Sequence, residues 1–245
     1  MRFFSYTFAK LKNLICGRTA GGSLALLQRQ KKTTTLLLVR HGQSEANLQG
    51  IYAGHTNSAL SALGVRQAEA TAEYIAKTYR VDRVYASDLA RARDTAKAVA
   101  DKLGLPVVCD RDLREINAGA WEGVSFDRLI SDGDTAYQVW LTDIGAAACP
   151  GGETVAELQK RVIAAVRRIA AENPGKTVVI GTHATPIRVL QCHCSGKPLS
   201  YMQSIPWVSN ASVTVAECKD GCITLKNIGC DHHLEGMQSE LPAKV

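Results

Sequence analysis

The chain has 245 residues, enough for one domain with a full core, and 46% of them are hydrophobic, with no apolar run long enough for a transmembrane helix. The formal net charge of +6 comes from residues 1–32, which hold seven basic residues and no acidic one. Residues 33–245 carry 22 basic and 23 acidic residues, so the body of the chain does not have the excess positive charge typical of nucleic-acid-binding proteins.

The first 32 residues form a basic N-terminal extension. Apolar residues recur here at helical spacing, at Phe4, Phe8, Leu11 and Ile15. Such a segment fits three interpretations: a flexible tail, a helix on an anionic membrane surface, or an organelle transit peptide. We expect a flexible extension, followed by one domain over residues 33–235 and a C-terminal tail over residues 236–245.

Eight cysteines are scattered through the chain, and several fall in predicted strands or helices, such as Cys109, Cys192 and Cys218. A chain of this length does not need disulfide bonds to hold its core together. We therefore expect free thiols, a reducing environment and a cytoplasmic location.

The first half of the domain alternates strands and helices. The apolar, β-branched run Thr33–Val39 predicts a buried parallel strand. The elements predicted after it, in chain order, are a helix from Ser61 to about Thr78, a strand at Arg83–Ala86, a helix that is capped by Ser87 and ends at Gly104, and a strand at Pro106–Cys109.

The second half begins with an irregular segment, residues 117–150, and then returns to alternation. The predicted elements are short helices at Phe126–Ile130 and Tyr137–Leu141, a long helix from a capping box at Thr154 and Glu157 to about Asn173, a strand at Val178–Thr182, a helix from Thr185-Pro186, and a hairpin of Ser212–Cys218 and Cys222–Ile228. The alternation predicts an α/β fold with three layers, α/β/α, around a mainly parallel central sheet.

Basic side chains follow three of the predicted strands. Arg40 and His41 follow the first strand, Arg91 lies one turn into the helix after the second, and His183 follows Val178–Thr182. Ligands of open α/β sheets bind outside the carboxyl ends of the strands, and arginine side chains match phosphoryl oxygens. The pattern favours a phosphoryl-binding cleft over the alternative, unrelated surface arginines and core histidines.

Several separated motifs resemble those of one family, in the family's order. They are Arg40-His41-Gly42-Gln43-Ser44-Glu45-Ala46-Asn47, then Ser87-Asp88-Leu89-Ala90-Arg91-Ala92, then Leu113-Arg114-Glu115-Ile116 with Gly119-Ala120-Trp121-Glu122-Gly123, then Gly152-Glu153-Thr154, and last Thr182-His183. Over about residues 33–230 the chain resembles the histidine phosphatase superfamily, also called phosphoglycerate-mutase-like, in its smaller phosphatase branch. The resemblance implies the phosphoglycerate-mutase-like fold.

The resemblance also implies roles for particular residues. His41 would be the nucleophile that becomes phosphohistidine, and Glu115 the general acid and base. The phosphoryl group would be held by Arg40, Asn47, Arg91, His183 and the backbone N–H of Ala184. Two positions depart from the family pattern: Ala184 stands where glycine is usual, and Asn57 stands where many members have aspartate.

These residue types suit phosphoryl transfer without a metal. A neutral imidazole is a good nucleophile near pH 7, and arginines can stabilise the charge on the transferring group. The Cys/His groups Cys192-His193-Cys194 and Cys218, Cys222, Cys230, His232, His233 do not have a usual zinc spacing. We expect neither a metal nor another cofactor.

The expected function is that of a phosphomonoester hydrolase acting on a small phosphorylated metabolite, as a monomer or homodimer, with residues 117–150 and Tyr201–Trp207 at the pocket mouth. One alternative is a phosphoglycerate mutase, but such mutases carry a long insertion, and here Glu115 and Glu153 are only 38 positions apart. The other is a silent phospho-ligand binding module, which would be expected to lack the nucleophile or the acid.

Overall fold

The computed structural model describes residues 32–239, so most of the predicted N-terminal extension and the end of the predicted C-terminal tail lie outside the described residues. The strands are β1 (Thr34–Arg40), β2 (Arg83–Ala86), β3 (Val107–Cys109), β4 (Thr177–Thr182), β5 (Val213–Lys219) and β6 (Cys222–Cys230). The helices are α1 (Glu45–Leu48), α2 (Ala62–Thr78), α3 (Ala90–Leu103), α4 (Phe126–Ser131), α5 (Thr135–Thr142), α6 (Val155–Glu172) and α7 (Ala184–Cys194).

The six strands form one sheet in the order β3-β2-β4-β1-β5-β6. Strands β1 to β4 are parallel to one another, β5 is antiparallel to β1, and β6 is antiparallel to β5. Strands β1 and β4 pair directly, with Arg40 opposite Thr182 at their carboxyl ends. The α/β fold with a mainly parallel sheet is therefore confirmed, and the residues after β1 and β4 meet at one edge.

Strand β1 is buried on both faces, which explains its uninterrupted apolar sequence. Leu36 and Leu38 belong to the core cluster that includes residues of α6 and α7, whereas Leu37 and Val39 belong to the cluster that includes residues of α2 and α3. Because both faces of the sheet are covered by helices, the fold has three layers. Truncating one of these leucines to alanine would cost about 2–5 kcal/mol of stability.

Two helix starts form as the sequence predicts. The Ser61 side chain accepts a hydrogen bond from the Gly64 N–H at the start of α2. Thr154 and Glu157 form a reciprocal capping box at the start of α6. Gly104 ends α3 in the left-handed conformation, with φ of 65°, which glycine adopts without strain.

The predicted start of α3 is wrong. The N-cap is Leu89 rather than Ser87, and the first helical N–H, that of Ala90, donates to the side-chain oxygen of Asn57 at 2.8 Å. The Ser87 hydroxyl accepts from the Leu89 N–H at 3.3 Å, before the helix begins, and lies 2.9 Å from Nε2 of His183. Asn57, a loop residue distant in sequence, therefore caps the helix. Ser87, which precedes the helix in sequence, contacts His183 at the end of β4.

The short helix α1 was not predicted. Ser44 and Asn47 form a reciprocal capping box around it, directly after the Arg40-His41-Gly42 turn.

Within residues 32–239, no helix is long and apolar enough to span a bilayer.

Candidate active site

His41 and His183 lie side by side at the sheet edge. Their ring centroids are 5.1 Å apart, and both side chains are almost fully buried. The pairing of β1 with β4 places them, since each histidine directly follows one of the two strands. The His41 N–H continues the ladder by donating to the Thr182 carbonyl at 3.0 Å.

The imidazole of His41 has one nitrogen available for chemistry. Nδ1 lies 2.7 Å from the carbonyl oxygen of Gly42, and a carbonyl only accepts, so Nδ1 carries the proton. This leaves a lone pair on Nε2. Burial, together with the charges of Arg91 and Arg40, lowers the pKa of His41 well below its usual value, so the ring is neutral near pH 7.

Gly42 allows the turn after β1 to pass close to α2. A side-chain carbon at this position would lie 2.5 Å from the Gly64 carbonyl oxygen, which is a steric clash. The Gly42 N–H donates to the Thr95 hydroxyl at 3.0 Å, and that hydroxyl donates to the Arg91 carbonyl at 2.7 Å. Through this chain of contacts, the backbone at His41 is linked to α3.

Arg91 is buried and held by a loop of backbone carbonyls. Its guanidinium donates to the carbonyl oxygens of Ala53, Gly54 and Thr56 at 2.7, 2.8 and 2.9 Å. Burial lowers the pKa of Arg91 to about 10, against the opposing charges of Glu115 and Glu122, so the side chain stays a cation near pH 7. Its position is fixed before any ligand binds.

Glu122 holds that same loop, a contribution that the sequence reasoning missed. Its carboxylate accepts hydrogen bonds from the N–H groups of His55, Thr56 and Ala118 and from the Thr56 hydroxyl. Burial acts to raise the pKa of Glu122, but these hydrogen bonds together lower it. The only sequence signal was its place in the Gly119–Gly123 motif.

Arg40, the residue before His41, lines the same cavity. It is buried and donates through Nη1 to the Val208 carbonyl at 2.5 Å. Burial lowers the pKa of Arg40 to about 10, with the charge of Glu115 acting in the opposite direction. Arg40 and Arg91 therefore place two positive charges close enough to His41 to lower its pKa.

Glu115 is half-buried and lines the same cavity. Its carboxylate accepts from its neighbour's N–H, that of Ile116, at 2.8 Å and from the Thr185 N–H at 3.3 Å. Its carbonyl oxygen accepts from Nη2 of Arg161 at 3.1 Å and lies 3.0 Å from Nε2 of His55. The carboxylate is thus held near the start of α7 while remaining accessible from the cavity.

Glu153, from the Gly152-Glu153-Thr154 motif, does not line this cavity. It forms an ion pair with Arg161 at 2.7 Å and accepts from the Asn117 N–H at 2.8 Å. Arg161 in turn donates to the carbonyl oxygens of Asp112, Arg114 and Glu115, as three hydrogen bonds of similar length. Glu153 and Arg161 therefore position the segment that carries Glu115.

His183 begins α7. It is the N-cap residue, and Ala184 and Thr185 in the first turn line the cavity. Burial, then the charge of Arg91, lowers the pKa of His183 well below its usual value. Nδ1 of His183 is buried without a hydrogen-bond partner, while the helix N-terminus adds partial positive charge. The substitution of alanine for the family's glycine at position 184 keeps the backbone donor at this helix start.

Asn47 lines the cavity from α1. Its side-chain oxygen accepts from the Ser44 N–H at 3.0 Å and from the amide of Asn210 at 3.4 Å, so its NH2 group is the donor it can offer a ligand. Asn210 also donates to the His41 carbonyl at 3.0 Å. No sequence pattern indicated Asn210, because it comes from a loop far along the chain.

Four aromatic side chains also line the cavity, namely Tyr52, Phe126, Trp140 and Trp207. Phe126 and Trp140 belong to the segment 117–150, and Trp207 belongs to Tyr201–Trp207, as predicted for the pocket mouth. Tyr201 instead lines a separate surface depression. Asn57 does not line the cavity, because its side chain caps α3.

The predicted site residues Arg40, His41, Asn47, Arg91, Glu115 and Ala184 all line one cavity. His183 does not line it but packs against His41. Among residues 32–239, no group of three or more His, Cys, Asp or Glu side chains is arranged to hold a metal ion. The arrangement offers one nucleophile, two fixed cations and one carboxylate to a ligand in the cavity.

Comparisons with known proteins identify relatives of this chain. A bifunctional protein of Mycobacterium tuberculosis is 40% identical over 157 residues, which are 64% of this chain and 43% of the relative, so the chain spans less than half of that relative's length. A metal-independent phosphoserine phosphatase of Arabidopsis thaliana is 32% identical over 198 residues, 78% of this chain and 79% of the relative. A mycobacterial glucosyl-3-phosphoglycerate phosphatase, solved in complex with VO3, has a TM-score of 0.72 at 29% identity, covering 79% of this chain and 97% of the other.

The family model described as the histidine phosphatase superfamily (branch 1) matches residues 36–231, from strand β1 to the residue after β6. The match spans all of the motifs quoted above and most of the chain. The chain belongs to branch 1 of the histidine phosphatase superfamily.

Proposed function

We propose that this protein is a cofactor-independent phosphatase that hydrolyses a small phosphate monoester through a phosphohistidine on His41. The observation that carries the proposal is the state of this imidazole. Nδ1 donates to a carbonyl, which leaves Nε2 unprotonated, and His41 lines one cavity together with Arg40 and Arg91, whose charges lower its pKa. A neutral nucleophile beside two cations is the arrangement that attack on a phosphoryl group requires.

In the first step, Nε2 of His41 forms a bond to phosphorus as the ester P–O bond breaks. The departing alkoxide takes a proton from the carboxylic acid of Glu115, so the alcohol leaves neutral. Arg40, Arg91 and the NH2 group of Asn47 bind the non-bridging oxygens. Their positive charge stabilises the transition state, in which negative charge spreads over those oxygens.

In the second step, a water molecule attacks the phosphohistidine. The Glu115 carboxylate, left by the first step, takes a proton from this water as its oxygen bonds to phosphorus. The P–N bond breaks, inorganic phosphate leaves, and Nε2 of His41 regains its lone pair. Each group returns to its starting protonation state, so the cycle needs no cofactor.

His183 and the start of α7 would complete the phosphoryl site. Nδ1 of His183 is a buried group without a partner, and a phosphoryl oxygen could satisfy it once a substrate binds. The backbone N–H groups at Ala184 and Thr185 add donors at the positive end of the helix. Two of the relatives described above are named phosphatases of small phosphorylated metabolites, which supports a substrate of that class for this chain.

We also propose a cytoplasmic location. All seven cysteines within residues 32–239 are free thiols, which suits a reducing compartment. Fractionation of cells that express the full-length chain tests the location, and recovery with an organelle fraction would instead favour the transit-peptide interpretation of residues 1–32.

The central experiment traps the intermediate. Wild-type protein mixed with a 32P-labelled monoester and quenched within milliseconds is expected to carry acid-labile, alkali-stable label, and His41→Ala is expected to carry none and to lose turnover. His193→Ala is the matched control, because His193 lies at the far end of α7 and does not line the cavity. Absence of label from turning-over wild-type protein would contradict the proposal.

The same reaction distinguishes the alternatives. A phosphoglycerate mutase would pass the label to the second hydroxyl of a phosphoglycerate acceptor rather than to water. A silent phospho-ligand binding module would bind the monoester, neither acquiring the label nor releasing phosphate. Release of labelled inorganic phosphate as the main product supports the phosphatase.

A further inference from the structure

Helix α7 carries a second buried arginine, Arg188, which the proposed chemistry does not use. Arg188 follows Ala184 by four residues, so the two lie on the same face of the helix, about 6 Å apart along its axis. Ala184 lines the catalytic cavity, and Arg188 lines a neighbouring cavity. The two cavities share Trp140 and Trp207 in their linings.

Arg188 has few partners for a buried cation. The residue is only 4% exposed, its Nη2 donates to the Met202 carbonyl at 2.7 Å, and its guanidinium lies 3.8 Å from the ring centroid of Trp207. Its Nε is buried without a hydrogen-bond partner. Among the ion pairs formed within residues 32–239, none involves Arg188.

This environment is unfavourable unless something else binds the charge. Burial alone lowers the pKa of Arg188 to about 10, with no carboxylate acting in the opposite direction, yet the group stays charged near pH 7. A buried charge without a counter-ion is energetically costly, and a cation–π contact offsets only part of that cost. An anionic group in the neighbouring cavity would supply the missing partner.

We propose that Arg188 binds a second anionic group, a carboxylate or a second phosphate, on the substrate whose phosphoryl group lies at His41. The inference rests on the proposed phosphatase function. The apolar body of the substrate would lie along Trp140 and Trp207, which line both cavities. The favoured substrates are then phosphate monoesters whose alcohol carries an anionic group roughly one helical turn from the ester.

Matched aryl esters test the site. The substrates are 4-carboxyphenyl phosphate, 4-phosphonophenyl phosphate and the neutral isostere 4-carbamoylphenyl phosphate, each assayed with wild type, Arg188→Met and Arg188→Lys. Wild type is expected to prefer an anionic ester over the carbamoyl ester by at least tenfold in kcat/KM. The anionic ester with the higher kcat/KM, carboxyl or phosphono, identifies the anion that the site binds.

The variants separate binding from a merely structural role. Arg188→Met is expected to remove the preference by raising KM for the anionic ester, with the carbamoyl ester changed less than about twofold, and Arg188→Lys is expected to restore part of it. An equal loss on all three esters would show that Arg188 only supports Trp207. An absent preference in wild type would also overturn the inference.

A binding measurement keeps the inference testable apart from turnover. Titration calorimetry compares the non-hydrolysable 4-carboxybenzylphosphonate with its carbamoyl counterpart on wild type and Arg188→Met, and thermal unfolding checks that the variant is folded. Selective loss of the carboxylated ligand supports the site even if the phosphatase proposal fails. Equal affinities on wild type reject the site even if phosphohistidine forms.

Discussion

The two sides of the catalytic cavity are built differently. On the strand-edge side, the polar groups are fixed by the backbone, as the Arg91 cation is by three carbonyl oxygens and the neutral His41 ring by one. On the aromatic side, Phe126, Trp140 and Trp207 come from short helices and a loop, and they present rings rather than charges. We therefore expect the strand edge to perform the chemistry and the aromatic side to select the substrate.

Two buried arginines, Arg91 and Arg188, differ in whether a carboxylate of the protein balances their charge. Burial lowers the pKa of both Arg91 and Arg188 to about 10. The charge of Glu115 opposes the effect at Arg91, whereas no carboxylate does so at Arg188. One cation is therefore balanced within the protein, and the other is left for a ligand to balance.

The largest effect is expected from Glu115 on the strand-edge side. Glu115→Gln removes the proton donor, and kcat should fall by about 10²–10⁴-fold for alkyl phosphates, whose alkoxides leave poorly. 4-Nitrophenyl phosphate should be affected far less, because nitrophenolate leaves without a proton. Steady-state kinetics on both esters check this, and equal losses on both would argue against the role of proton donor.

Arg91 should come next, with an effect that does not depend on the alcohol. Arg91→Met removes a fixed cation from the transferring group, so kcat should fall by about 10²–10³-fold for every ester tested. Arg93→Met is the control, since Arg93 lies on the same helix, pairs with Asp94 and does not line the cavity. A loss confined to some substrates would place Arg91 in substrate selection instead.

A smaller and selective effect is expected on the aromatic side. Phe126→Ala removes part of the apolar wall, so KM should rise about tenfold for esters with a large apolar body, which corresponds to the burial of part of one ring. For small alkyl phosphates, kcat should be unchanged. Val139→Ala serves as the control, because Val139 lies on the neighbouring helix α5 and is 38% exposed. A fall in kcat for all esters would contradict the assignment of substrate selection, rather than chemistry, to the aromatic side.

The smallest effect concerns stability. His41 and His183 stay neutral in the folded protein below pH 6.5, whereas in the unfolded chain they bind protons there. The unfolded state then binds more protons, so the free energy of unfolding decreases as pH falls, by up to about 1.4 kcal/mol per pH unit for each histidine. Denaturant unfolding between pH 7 and pH 5.5 should show a smaller decrease in the free energy of unfolding for His41→Gln than for wild type. The same pH dependence in both proteins would contradict the prediction.

Most of the fold could be predicted because the local signals are strong. The apolar run of β1, the capping box of α6 and Gly104 each specify a local structure through burial or backbone geometry. The start of α3 could not be predicted, because its cap is Asn57, a residue more than thirty positions away that only folding brings near. The residues Glu122, Arg161 and Asn210 were missed for the same reason, since they act on the site through contacts distant in sequence.

The sequence by itself determined which elements form and which family the motifs resemble, because hydrophobic periodicity, caps and a few fixed motifs are properties of short segments. The tertiary structure alone decided the state of the site. It set the tautomer of His41, the three carbonyls that hold Arg91, the turn of Ser87 toward His183 and the unbalanced charge of Arg188. These depend on burial and on the pairing of distant segments, which local patterns do not encode.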